Sequence, residues 1–218
     1  MKERPMIFNA EMVRAILDGR KTQTRRIMKK QPEPSKAREG DFYFPCDKMQ
    51  SMVHVSDFIP GNSMIPDARE FFSKCCPFGE VGDRIWVRVT WTPASVDAEE
   101  GHYAPDYRAT ENGQPVDGRW RPSIHMPRWA SRITLEITGV GVQRLQSISP
   151  NDASREGLIK LPATGRYCLN QGDQYFGGAS HDAREVFSWL WESIYGAESW
   201  QANPWVWVIE FKRIEGGA

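Results

Sequence analysis

Side chains from Arg84 to Trp91 alternate, with Ile85, Val87 and Val89 on one face and Trp86, Arg88 and Thr90 on the other. A period of two predicts a strand, and Val81-Gly82-Asp83 supplies the turn that begins it. The same reading places strands at Pro5 to Phe8, Ser131 to Thr138, Val140 to Leu145 and Trp205 to Ile214. The second and third of these are joined around Gly139.

Helices announce themselves by caps. Asn9 stands where an N-cap belongs, Met12/Ile16 and Val13/Leu17 stack four apart, and Gly19 follows Asp18 where a helix end favours a left-handed residue. Ser149-Pro150-Asn151-Asp152 opens a short helix ending near Glu156-Gly157, and Asp182 with Glu185 opens another whose Val186/Leu190/Ile194 and Phe187/Trp191 form an apolar face to Tyr195.

Between these elements lie three long stretches. Gln31 to Gly79 holds six prolines among mixed charges, which predicts an irregular insertion with one short strand at Met52 to Val55. Thr92 to Arg128 is rich in Gly, Pro and Asp, and Glu111-Asn112-Gly113-Gln114 predicts a tight turn. Residues 159–182 form a Gly-containing loop. Five or six short strands with two or three peripheral helices predict an α+β fold, a small, partly open β-barrel in a single domain over 1–218, with insertions at about 31–79, 92–128 and 159–182.

Twenty-eight basic residues balance twenty-eight acidic ones, so bulk attraction to nucleic acid is excluded and any such contact must be local. No apolar stretch reaches spanning length, and charges interrupt the first residues where a signal peptide would need an apolar run, so a cytoplasmic protein without membrane contact is expected. Of the four cysteines, Cys75 and Cys76 lack the gap that lets two thiolates chelate zinc. Reduced, partly buried thiols and no metal or other cofactor are expected. His54, His102 and His181 are too scattered to form a ligand set or a dyad.

Arg20 to Lys30 carries six cations and no acid, directly after a helix end. A basic run is usually a solvated face, but Thr22 and Thr24 are interleaved with the cations, and hydroxyls beside ammonium and guanidinium groups suit both phosphate binding and nucleophilic chemistry. In a straight strand Lys21 and Thr24 would face opposite ways. They converge only if the chain turns, which Gly19 permits. Arg128-Trp129 joins a guanidinium to an indole ahead of a strand, a pair able to stack on an exposed base. Trp189, Trp191, Trp205 and Trp207 sit in periodic contexts and are read as packing residues.

Gly19-Arg20-Lys21-Thr22-Gln23-Thr24-Arg25-Arg26 resembles the Gly-x-Lys-x-x-x-x-Arg signature of the ASCH family. Gly82 to Val87, the Ser149 to Gly157 helix and Trp205 to Lys212 fit further blocks of that family in order, and the long insertions are similar to those of its phage and prophage members. The resemblance implies a PUA-like barrel with a cleft for RNA or a modified nucleoside. One branch of the family, the metal-free acetylcytidine amidohydrolases, implies Lys21, Thr24 and Glu156 as catalytic residues. Thr24 would attack the amide carbonyl, Lys21 help remove its proton and Glu156 orient the lysine or relay the proton. Arg20, Thr22, Arg25, Arg26, Arg128 and Trp129 would bind substrate. The alternatives are a non-catalytic module that binds RNA or a modified base, and a ribonuclease. One departure stands at Val89, where long family members carry glutamate.

Overall fold

Asn9 is extended and its side-chain oxygen accepts from Met12 N at 2.8 Å, starting helix α1 (Ala10–Leu17). The helix ends at Asp18, and Gly19 at φ +74° lets the chain leave it sharply. This turn separates two edge strands, β1 (Glu3–Ile7) and β2 (Gln23–Ile27). The computed structural model describes residues 1–58, 65–93, 105–110 and 118–214. The turn expected at Glu111 to Gln114, and His102, lie outside them.

Three more strands, β3 (Arg84–Arg88), β4 (Thr134–Arg144) and β5 (Trp205–Ile214), complete a five-stranded sheet of order β1-β3-β4-β5-β2. Only the β1–β3 pairing is parallel. Smaller strands elsewhere form two three-stranded sheets and one pair, so the fold is mixed, with several sheets and few helices. No pairing joins β1 to β2 among the described residues, and the sheet does not close into a barrel. Arg26 of β2 nevertheless reaches β1, donating from Nη2 to Ile7 O at 2.7 Å.

Where two strands were expected around Gly139, β4 runs through as one. The register slips there: Gly139 faces Glu210 and Ile137 faces Phe211, leaving Thr138 as the extra residue of a bulge. A Cβ on Gly139 would lie 3.0 Å from a Glu210 carboxylate oxygen, so the glycine marks a close approach rather than a turn.

The segment 31–79 is more regular than its prolines suggest. It contains strands at Glu33–Pro34, Phe42–Cys46 and Ser51–His54 and an eleven-residue helix, α2 (Ile65–Cys75). Pro66 sits in the first turn, where a missing N–H costs no helical bond. Phe72 of α2 packs between Phe44 and Trp207, with ring centroids 5.8 and 6.1 Å away. Cys46 and Cys75 are bonded, with Cα atoms 6.2 Å apart, because this docking brings them together, which corrects the expectation that all four thiols are reduced. Cys76 and Cys168 are free and buried, and burial pushes the Cys76 thiol up to about 11.

Strand β5 divides the interior. Trp205, Trp207, Ile209 and Phe211 join Val13 and Ile16 of α1 and Phe72 in one cluster, while Val206 and Val208 join a second cluster on the other face. The second is built on α3 (Pro150–Arg155) and α4 (Ala183–Tyr195), whose N-caps Ser149 and Asp182 accept from Asp152 N and Arg184 N. These faces are the apolar patterns of the sequence in place. No helix among the described residues is long and apolar enough to cross a membrane.

Asp83 fixes the start of β3. Its carboxylate accepts from Lys2 N at 2.6 Å, Arg4 Nη1 at 2.7 Å and Glu80 N at 3.2 Å. Burial raises its pKa, but these donors outweigh burial and lower it to about 2. Since the folded value lies below the unfolded one, the stabilisation is complete above about pH 4 and is lost as pH falls towards 2. Asp83→Asn is therefore expected to cost on the order of 2 kcal/mol at pH 7 and much less at pH 2.5, as urea unfolding at the two pH values would show.

Candidate ligand site

After Gly19 the chain pairs with the end of α3 before entering β2. Lys21 N donates to Ala15 O at 2.9 Å, Thr22 N to Arg155 O at 3.0 Å, and Lys21 and Glu156 form an isolated antiparallel bridge. Gly157, at φ +111°, allows this contact: a Cβ there would lie 2.8 Å from Ala15 Cβ and 3.2 Å from Lys21 Cβ. Two residues 135 apart in sequence thus meet through backbone pairing.

Their side chains complete the meeting. Lys21 Nζ donates to Glu156 Oε2 at 2.7 Å and to its backbone oxygen at 2.8 Å. Arg25 Nη1 donates to Glu156 Oε1 at 2.8 Å and to Gln23 Oε1 at 2.8 Å. With its amide oxygen turned to the guanidinium, Gln143 accepts from Arg25 Nε at 2.9 Å and Nη2 at 2.6 Å. Asp152 lies farther off, 3.9 Å from Arg25 Nη2. Lys21 and Glu156 are each only 2% exposed.

One buried carboxylate therefore serves two buried cations. Burial drives the Lys21 ammonium pKa down, the Glu156 charge and hydrogen bond pull it up, and Arg26 and Arg25 push it down again, leaving it below the ordinary lysine value. Loss of that proton would leave a balanced Arg25–Glu156 pair. Glu156 still has acceptor capacity, because a carboxylate offers about four lone-pair positions and these contacts use one on each oxygen.

Glu156, Arg25 and Arg26 line a cavity of about 560 Å³. One side is apolar and aromatic, made by Phe187, Leu190, Trp191, Ile194 and Tyr195 of α4. The lining also includes Ile7, Phe8, Asn9, Ala10 and Met12, where β1 passes into α1, and Val89 and Thr90 beyond β3. Arg14 and Arg108 add charge, and Glu156 is the sole acidic residue among the described residues lining it. The volume falls in the range of small-ligand sites. A second cavity, of about 420 Å³, lies on the other side of Arg25, against Gly139 to Gln143 and Glu210.

Lys21, Arg25 and Glu156 are thus brought together, and Arg26 joins them at the cavity, its guanidinium 5.2 Å from the Phe8 ring centroid. Thr24 is 1% exposed on β2 opposite Ile209, and neither it nor Lys21 is among the described residues lining the cavity. Thr24 shares no hydrogen bond with Lys21 or Glu156 among the described residues. Arg20 pairs with Asp18 at 2.8 Å and donates to Gly157 O, while Thr22 accepts from Arg155 Nε at 3.3 Å. Both brace the turn. Arg128 is paired with Glu3 at 2.8 Å, and Trp129, 68% exposed, meets Trp91 edge-on at 5.7 Å. Neither lines the cavity.

Sequence reasoning missed Arg14 and Arg108, which stand alone in the chain, and took the α4 aromatics for packing only. Phe187, Leu190 and Trp191 do pack in the second core cluster, and their outer surfaces also wall the cavity. The spacing 187/190/191/194 carries no sign of that second role. Val89, the position of the departure noted above, lines the cavity and is buried, so this wall is apolar where a glutamate would place a charge. No group of three or more His, Cys, Asp or Glu able to hold a metal ion occurs among the described residues.

Comparison with protein-family models, with curated proteins and with solved structures yields no match.

Proposed function

We propose that this chain is a PUA-like domain of the ASCH type whose cavity receives a nucleobase or nucleoside. The observation that carries the reading is Glu156, held between Lys21 and Arg25 at the edge of a cavity walled by aromatic side chains. A carboxylate accepts from an exocyclic amine, a guanidinium donates to a ring nitrogen or carbonyl, and the two side by side complement the polar edge of cytosine. The aromatic side suits the faces of the ring.

A second reading, a metal-free amidohydrolase acting on acetylcytidine, is favoured by the lowered pKa of Lys21, the direction a base at neutral pH requires. In it Thr24 is the nucleophile and Glu156 positions Lys21. Thr24 and Lys21 lie just behind the cavity surface, so this chemistry needs substrate to reach past Arg25.

One experiment separates the two readings: titration of the protein with cytidine, beside incubation with acetylcytidine followed by chromatography. Saturable cytidine binding is expected, weakened at least about tenfold by Ile194→Trp, which fills the cavity from a position already 40% exposed. Release of cytidine from acetylcytidine, lost in Thr24→Val, would establish the hydrolase. Binding unaffected by Ile194→Trp would place the ligand elsewhere and sink the proposal.

A further inference from the structure

We infer that the natural ligand of the cavity carries a phosphate, and that the site takes a free nucleoside monophosphate. The inference rests on the nucleoside reading and concerns the charge that the rest of the ligand must bring. Among the described residues four arginines line the cavity, Arg14, Arg25, Arg26 and Arg108, against the single carboxylate of Glu156. That carboxylate is already shared by Arg25 and by Lys21 behind it. The chain as a whole has zero net charge, so this excess is local.

Three of the four arginines carry the excess. Arg14, Arg26 and Arg108 form no ion pair with a carboxylate among the described residues. Arg26 donates to Ile7 O and rests over Phe8, and its Nε is buried without a partner among the described residues. Arg14 donates to Ala109 O at 3.1 Å, which places its guanidinium beside the residue that follows Arg108. The backbone of Arg108 donates to Thr90 O at 3.1 Å, and Thr90 also lines the cavity. Arg14, Arg26 and Arg108 thus line the same cavity as the apolar residues of α4.

Unbalanced cations at one mouth repel one another, and a bound anion relieves that repulsion. Guanidinium groups match the paired oxygens of a phosphate. In α4 the Trp191 indole N–H is buried without an acceptor among the described residues, a second orphaned donor on a residue lining the same cavity. A base against α4 with its phosphate towards Arg14, Arg26 and Arg108 answers both sides of the site. A cavity of about 560 Å³ suits one small ligand, whereas binding along a strand of RNA calls for a groove that follows the backbone.

The test is a titration of the whole chain with cytidine, with cytidine 5′-monophosphate and with a short single-stranded RNA. The monophosphate is expected to bind roughly tenfold or more tighter than cytidine, and about 0.5 M sodium chloride is expected to shrink that advantage. Arg108→Ala and Arg14→Ala, both at exposed positions, are expected to reduce the preference for the monophosphate several-fold. Cytidine bound as tightly as its monophosphate would overturn the phosphate inference while leaving the nucleoside reading standing. RNA bound well above the monophosphate would overturn the free-nucleotide claim, and no binding of any of the three would overturn both readings.

Discussion

Glu156→Gln is expected to lower the free energy of unfolding at pH 7 by about 3–5 kcal/mol, the cost of stranding buried charge. The wild-type carboxylate accepts from Lys21 at 2.7 Å and Arg25 at 2.8 Å with almost no access to water, and an amide in its place presents an N–H₂ group to one of two cations. Removing the negative charge takes away the attraction that holds the Lys21 pKa up and leaves the burial that pushes it down. The folded value then falls further below the unfolded value of about 10.4. Between those two values the unfolded chain binds more protons, so the variant should recover stability as pH rises through that window. Lys21→Met added to Glu156→Gln removes one stranded cation and should restore part of the loss, which keeps the test readable if the single variant unfolds. Urea unfolding measures all three proteins. A loss below about 1 kcal/mol for Glu156→Gln, independent of pH, would show that this carboxylate does not hold the two cations together.

Phe72→Ala is expected to cost about 3–5 kcal/mol, as removal of a fully buried aromatic ring usually does. Phe72 has no solvent exposure and meets Phe44, Phe71 and Trp207. Those rings come from a strand of the 31–79 segment, from α2 itself and from β5, an inner strand of the main sheet. The cavity left would therefore loosen an inserted segment from the main sheet. A cost near zero in thermal or urea unfolding would mean that α2 is not docked on β5.

The contrast between these two residues shows what the sequence can reveal. The strand Trp205–Ile214 and the caps Asn9, Ser149 and Asp182 are local signals, and each element stands where its signal points. Helix α2 also leaves a signal, since Ala68 and Phe72 within it and Cys76 just past it recur at intervals of four and are all buried, but six prolines in the surrounding segment point towards an irregular loop. The bulge at Thr138 was read as a break because glycine marks turns and close approaches alike.

The site was legible in part. Lys21, Arg25 and Arg26 lie in one basic run, and Lys21 with Glu156 came from a family resemblance; no spacing rule links positions 135 apart, or Arg25 to Gln143. Arg128 and Trp129 drew notice as a neighbouring cation and indole, yet a partner 125 residues away, Glu3, takes the arginine. Lone residues such as Arg14 and Arg108 acquire meaning only when folding gathers them round one cavity.

The most direct measurement of the central claim is a crystal structure of the protein grown with saturating cytidine. The account predicts the base inside the cavity, its amino group about 3 Å from a Glu156 carboxylate oxygen and its ring against the α4 aromatics. Cytidine bound outside this cavity, or a cavity left empty at saturation, would contradict it.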